Sequence, residues 1–143
     1  MPSMMDVFQA KPSQDIFHVT PDTTVFEAIK IMADKGIGAL LVIEEGELAG
    51  IFSERDYTRK IAPMERSSRT TPVRAIMTSK LIVASPASQL TECLSLMTDS
   101  RIRHLPIVEG KKVVGMLSLG DLVKALIREQ QKLIDQLQTY ISG

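Results

Sequence analysis

Two short stretches of the chain place a hydroxyl and a carboxylate three residues apart, behind a glycine and two apolar residues. They are Gly50-Ile51-Phe52-Ser53-Glu54-Arg55-Asp56 and Gly115-Met116-Leu117-Ser118-Leu119-Gly120-Asp121. An apolar run that ends in Ser-x-x-Asp predicts a buried strand feeding straight into a helix, with serine at the N-cap and the acid on the first turn. Two kinds of chemistry suit that arrangement. One is local. Serine is a good N-cap, an acid at the third helical position completes a capping box, and the carboxylate suits the positive end of the helix dipole. The other is recognition. The unpaired N–H groups of a helix start bind phosphate, a nearby aspartate accepts bonds from both ribose hydroxyls, and the serine hydroxyl donates to a phosphate oxygen. Ribose and phosphate at one helix start make a nucleotide footprint. The residues alone leave both readings open.

The elements that position these groups occur twice. A shift of 65 residues aligns Pro21 with Pro86, Met32 with Met97, Gly50 with Gly115, Ser53 with Ser118 and Asp56 with Asp121, without a gap. Ten of the 36 positions from Pro21 to Asp56 are identical to their counterparts. Repeats of this kind imply one supersecondary unit used twice. Each copy opens on a short apolar segment, 16–19 or 81–84, that runs into Thr20-Pro21 or Ser85-Pro86. A helical pattern follows, with Val25, Ala28, Ile29 and Met32 on one face, and Leu90, Cys93, Leu94 and Met97 in register. Gly36 closes the first of these helices. Strands over 38–43 and 48–52 flank the turn Glu45-Gly46, and strands over 103–108 and 112–117 flank Glu109-Gly110, as hairpins. A second helix begins at Ser53 or Ser118.

The expected fold is therefore mixed α/β (α+β). Two tandem β-α-β-β-α repeats pack through their sheets into one disc, because a single unit is too small to close its own core. The first repeat with its N-terminal segment and linker is assigned to residues 1–71, and the second to residues 72–143. The stretch 62–71 reads as an ordered loop or a flap, and Pro63 stops the helix before it. The final helix runs from about Leu119 to near Tyr140. Val123, Leu126, Gln130, Leu133, Leu137 and Tyr140 form an a/d seam along it. That seam fits either packing on its own body or a homodimer contact.

Bulk properties narrow the class. Lys plus Arg and Asp plus Glu both total 17, so the chain has no general pull toward nucleic acid or acidic membranes. Only six aromatic residues (four Phe, two Tyr) further weaken nucleic-acid binding. No apolar run approaches a membrane span, and no basic leader precedes an apolar stretch. The single cysteine, Cys93, cannot form an intrachain disulfide and reads as a buried small hydrophobe. A cytoplasmic protein is expected. No metal-ligand spacing, Walker loop or GxGxxG fingerprint is present, and no nucleophile is paired with a base. Neither catalysis nor a catalytic cofactor is expected.

The repeat, with Gly-apolar-apolar-Ser-x-x-Asp closing both copies, resembles a tandem pair of cystathionine-beta-synthase (CBS) domains, a Bateman module. The strands from Gly36 to Val42 and from Arg101 to Ile107 also look like family strands. The run from Ser53 to Lys60, followed by Arg66-Ser67-Ser68, resembles a stand-alone subgroup found in bacteria and plant organelles. The resemblance implies two clefts between the repeats, binding AMP, ATP or NAD(H) to sense energy or redox state, with an unidentified regulated protein as partner. One cleft would combine Ser118 and Asp121 with Val19, Thr20 and Gly38. The other would combine Ser53, Arg55 and Asp56 with Ile82, Val83, Arg103 and His104. Asp56 and Asp121 would hold ribose hydroxyls, and Ser53 and Ser118 would steady the phosphate end. Arg103 and His104 replace Gly38 and Ala39 of the first copy, so the Asp56 cleft is the better furnished for phosphate. The Asp121 cleft has little positive charge of its own, unless Arg55, Arg59 or Lys60 reaches it. S-adenosylmethionine shares the adenosine chemistry. An interaction or structural module with no physiological nucleotide is the alternative.

Overall fold

The computed structural model of the chain describes residues 1–61, 63 and 67–142. In chain order the elements are α1 (Met4–Gln9), β1 (His18–Val19), α2 (Val25–Lys35), β2 (Ala39–Glu44), β3 (Glu47–Ser53), α3 (Glu54–Lys60), a single 3-10 turn (Val73–Ala75), α4 (Leu90–Ser100), β4 (His104–Glu109), β5 (Lys112–Ser118) and α5 (Leu119–Ser142). This is the mixed α/β repeat read from the sequence, with two small sheets and a long last helix. The chain divides into two compact units. Residues 15–82 form one, and residues 1–14 together with 83–143 form the other. The first 14 residues thus fold with the second repeat, and residues 72–82 fold with the first.

In the contiguous unit, β1 pairs in parallel with β2, and β2 pairs antiparallel with β3. The apolar segment expected over 16–19 joins the ladder only at His18 and Val19. α2 buries Val25, Ala28 and Met32, the stripe that its spacing predicts. It is capped by Thr24, whose hydroxyl accepts the Glu27 N–H at 3.2 Å, and it ends on Gly36 at φ 64°. Two further N–H groups of its first turn, from Val25 and Phe26, donate to the carbonyls of Thr71 and Ser68, both at 2.9 Å. The described end of the linker is therefore fastened to a helix start, which has donors to spare. Ala62, Met64, Glu65 and Arg66, and with them the expectations placed on that part of the linker, lie outside the described residues. Val19, Val25, Ala28, Met32, Leu40, Val42, Phe52, Ile61, Val73 and Ile76 make the core.

In the other unit, β4 and β5 form an antiparallel pair. α4 buries Leu90, Cys93 and Met97 in the register of α2. The strand expected over 81–84 is reduced to a parallel bridge between Ala84 and Ile107, held by two bonds of 2.9 and 2.8 Å. α1, which the sequence reading left unassigned, docks onto this unit. Met4 N–H donates to Ser88 at 2.8 Å, Met5 N–H to Pro86 at 3.1 Å, and Leu90 N–H to Pro2 at 3.2 Å. Met4, Val7 and Phe8 are buried by that docking. α5 buries Leu122 and Ala125 near its start, whereas every residue from Gln130 to Ser142 is exposed.

The glycine that opens each Ser-x-x-Asp stretch has a packing reason. A methyl group on Gly50 would stand 2.7 Å from the Met77 sulfur and 2.9 Å from the Thr78 carbonyl oxygen. One on Gly115 would meet the Phe8 ring at 3.1 Å and Ile107 at 3.0 Å. Each glycine lets a second segment lie flat on its strand: residues 77–78 in one unit, α1 in the other. Gly50→Ala is expected to cost about 1–3 kcal/mol, because a backbone oxygen cannot step aside as a side chain can. Urea denaturation measures this, and a midpoint equal to the parent's would mean that residues 77–78 are not seated there.

Candidate functional site

Among the described residues three helix starts carry the Ser-x-x-Asp pattern, and their differences separate capping from further chemistry. At α1, Ser3 N–H donates to Asp6 Oδ2 at 3.0 Å and Asp6 N–H donates to Ser3 Oγ at 3.2 Å. At α3, Ser53 N–H donates to Asp56 Oδ2 at 2.9 Å, and Asp56 N–H returns to Ser53 Oγ at 3.3 Å. At α5, the same pair of bonds joins Ser118 and Asp121 at 2.8 and 3.2 Å. The capping box is common to all three, so it marks none of them as a site. What surrounds each carboxylate differs.

Asp56 is buried, with 6% of its surface exposed. Its Oδ2 also accepts the Ser53 hydroxyl at 3.1 Å, while its Oδ1 accepts the Thr78 hydroxyl at 3.0 Å and the Lys60 ammonium at 3.1 Å. Lys60 Nζ in turn donates to the Ile76 carbonyl at 2.9 Å. Four donors therefore converge on this carboxylate, and the segment after the linker supplies one of them. The structure gives Asp56 a role in holding residues 76–78 to the start of α3.

Asp121 keeps more room. Its side chain is 22% exposed, and Lys11 Nζ lies 3.2 Å from its Oδ2. Burial pushes the Asp121 carboxyl up, but the Ser118 N–H bond and the Lys11 charge outweigh it and hold the group below the usual carboxylate range. Asp121 is therefore an anion at neutral pH. The sequence reading left this helix start with little positive charge of its own. Lys11, brought in by α1, supplies some.

The remaining expected residues take these places. Gly38 abuts the α3 start, where its carbonyl accepts the Glu54 N–H at 3.1 Å, and Ala39 is in register with Ser53. Arg103 abuts the α5 start, where its carbonyl accepts the Leu119 N–H at 2.8 Å, and His104 is in register with Ser118. Within their units, Gly38 thus neighbours Asp56, and Arg103 and His104 neighbour Asp121. Val19 is buried in β1, and Thr20 sits in the turn before α2 with its hydroxyl 3.2 Å from that of Thr23. Arg55 and Val83 are exposed, and Ile82 is half-buried. Thr78 and Lys11 were missed by the sequence reading. For Lys11 one signal was available, the Ser3-Met4-Met5-Asp6 box that announces α1.

Among the described residues no three His, Cys, Asp or Glu side chains cluster as a metal site, and no buried side-chain polar atom lacks a hydrogen-bond partner. No helix in that range is long and apolar enough to cross a membrane. Burial, aided by the charge of Glu92, pushes the Cys93 thiol up against a weaker opposing bond from Ser88, as suits a core residue.

The model of the CBS domain family matches residues 6–63 and 73–128. The chain is similar to the mitochondrial CBS domain-containing protein CBSX3 of Arabidopsis thaliana, with 45% identity over 129 residues, covering 87% of this chain and 63% of that protein. It therefore spans under two thirds of that relative's length. A solved structure of a protein with CBS domains from Burkholderia ambifaria MC40-6 is 47% identical and superposes with a TM-score of 0.85, covering 90% of this chain and 96% of its own. A CBS domain pair solved in complex with 5′-methylthioadenosine and S-adenosyl-L-methionine shares the fold, with a TM-score of 0.78 at 21% identity over 90% of this chain and 98% of its own.

Proposed function

The chain belongs to the CBS-domain family as a tandem pair, and from that premise we propose that it is a non-catalytic regulatory module that binds an adenine nucleotide (AMP, ATP or NAD(H)) and reports it to a protein partner. The observation that carries this reading is the α5 start. There a deprotonated, part-exposed aspartate stands at a helix start beside Lys11, and the strand that begins at His104 lies in register with Ser118. Those are acceptors for ribose hydroxyls and donors for phosphate at one place. At α3 a ribose held by Asp56 has to displace Thr78 or Lys60. That the fold accepts adenosine compounds is supported by the pair that holds 5′-methylthioadenosine and S-adenosyl-L-methionine, although at 21% identity only the fold carries over.

The module works as a self-associated assembly through the apolar face of α5. Its compartment is the cytoplasm or, as the mitochondrial relative suggests, the interior of an organelle. Isothermal titration of the purified chain with AMP, ATP and NADH tests the ligand. Saturable heat with at least one of them below about 1 mM is expected, since a few good hydrogen bonds and one stacked base exceed the roughly 4 kcal/mol this represents. No binding by any of the three sinks the reading and leaves the structural module standing.

A further inference from the structure

The apolar side of α5 repeats every seven residues, and one member of the repeat is polar. Gln130 stands seven residues after Val123 and seven before Leu137. Its helical neighbours at i−4, i−3, i+3 and i+4 are Leu126, Ile127, Leu133 and Ile134. Leu126 is half-buried, the other five apolar residues are between 41% and 59% exposed, and Gln130 is exposed among them. Charge is kept off this face over the last turns. From Gln130 to Ser142 the charged residues are Lys132 and Asp135, and neither belongs to the repeat. Lys132 Nζ donates to Glu129 Oε1 at 3.3 Å, and Asp135 Oδ1 accepts the Gln131 amide at 2.9 Å.

A seven-residue apolar repeat is the pattern by which one helix winds on another. An uncharged face can meet its own kind without like-charge repulsion. The amide in its middle decides the direction. In a parallel, in-register arrangement the Gln130 side chains of all copies lie at one level. An amide is self-complementary there, with a carbonyl acceptor and two N–H donors. The antiparallel alignment that overlaps the repeat from Val123 to Tyr140 sets Gln130 against the partner's Leu133, and the desolvated amide goes unpaired. An antiparallel alignment that matched Gln130 with itself would carry Ile141 to the level of the partner's Leu119. Leu119 is built into its own unit, where its N–H donates to the Arg103 carbonyl at 2.8 Å. Resting on the self-association read above, we propose that α5 joins copies of this chain in parallel and in register, and that Gln130 is the residue that sets this direction, at some cost in affinity.

The test mixes two variants of the full chain, Gln130→Glu and Gln130→Lys, and reads mass by sedimentation equilibrium. Gln130 is exposed in the single copy and outside the buried residues of its unit, so both variants fold, as circular dichroism checks. Each variant alone sets like charges at one level and is expected to associate about a hundredfold more weakly than the parent. An equimolar mixture regains the assembled mass, because glutamate then meets lysine. In an antiparallel assembly either charge faces leucine and mixing restores nothing. A mixture no heavier than the variants apart therefore overturns the proposal. So do variants that each stay assembled, since the interface would then leave Gln130 uncovered. An unaltered chain that sediments as a single copy is a different failure, that of self-association itself.

Discussion

Asp56→Ala is expected to destabilise the chain by about 3 kcal/mol, a loss typical of a buried charge removed from its partners. The carboxylate is 6% exposed and collects the Ser53 N–H, the Ser53 and Thr78 hydroxyls and the Lys60 ammonium. Alanine strands the Thr78 hydroxyl and the N-cap of α3 at once. Lys60, 36% exposed, can turn to solvent, which keeps the cost at the lower end of the range for buried pairs. A drop in Tm of roughly 10 °C follows for a chain of this size. Thr78→Val removes one bond to the same oxygen and is expected to cost about 1 kcal/mol, and the two losses combine to less than their sum because the groups share a partner. A fall of under about 1 kcal/mol for Asp56→Ala would mean that this carboxylate is a vacant ligand site and not a fastening. The matching change at α5 should be milder for the fold, since Asp121 is more exposed and has fewer partners.

The contrast between the two aspartates shows what a sequence can and cannot carry. The 65-residue shift makes Asp56 and Asp121 equivalent, and locally they are, down to the reciprocal bonds with Ser53 and Ser118. Helix and strand periodicity is a local property, so α2, α4 and both hairpins lie within a residue or two of where their patterns put them. The third group at each carboxylate comes from elsewhere. Thr78 lies 22 residues from Asp56, on a segment beyond the linker. Lys11 reaches Asp121 from the opposite end of the chain. Nothing in the pattern around either aspartate encodes those visitors. Within their own unit the strand register puts Arg103 and His104 beside the α5 start, where Lys11 also lies; their assignment to the Asp56 cleft is what the resemblance implies. The N-terminal helix was unread for a different reason. At six residues it is too short to show a period, and only its Ser3–Asp6 box betrays it.

Leu133→Asp with Leu137→Asp is expected to break self-association, shifting the chain from its assembled mass to that of a single copy at micromolar concentration. Among the described residues nothing buries the last three turns of α5, where every residue from Gln130 to Ser142 is exposed. Ile127, Leu133, Ile134, Leu137, Tyr140 and Ile141 are between 46% and 85% exposed; Ile127, Ile134 and Ile141 recur every seven residues, with Leu133, Leu137 and Tyr140 alongside them. Isolated helical segments of that length are marginal in water, and the self-association proposed above would give these turns a partner surface. The face is wider than a two-strand seam. Ile127, Ile134 and Ile141 widen the Val123, Leu126, Gln130, Leu133, Leu137 and Tyr140 line read from the sequence, which makes a bundle of helices from several copies a better fit than a lone pair. Each substitution counts once per copy, so a pair of copies loses four leucines. Each is about half exposed and gains roughly 1 kcal/mol on burial. The combined loss, near 4 kcal/mol, weakens association about a thousandfold. Light scattering after gel filtration reads the mass. An assembled mass that survives both aspartates would move the interface off α5, and the exposed face would then await the regulated partner instead of a second copy. The stability of the two compact units should not change, because neither leucine contributes to their buried residues.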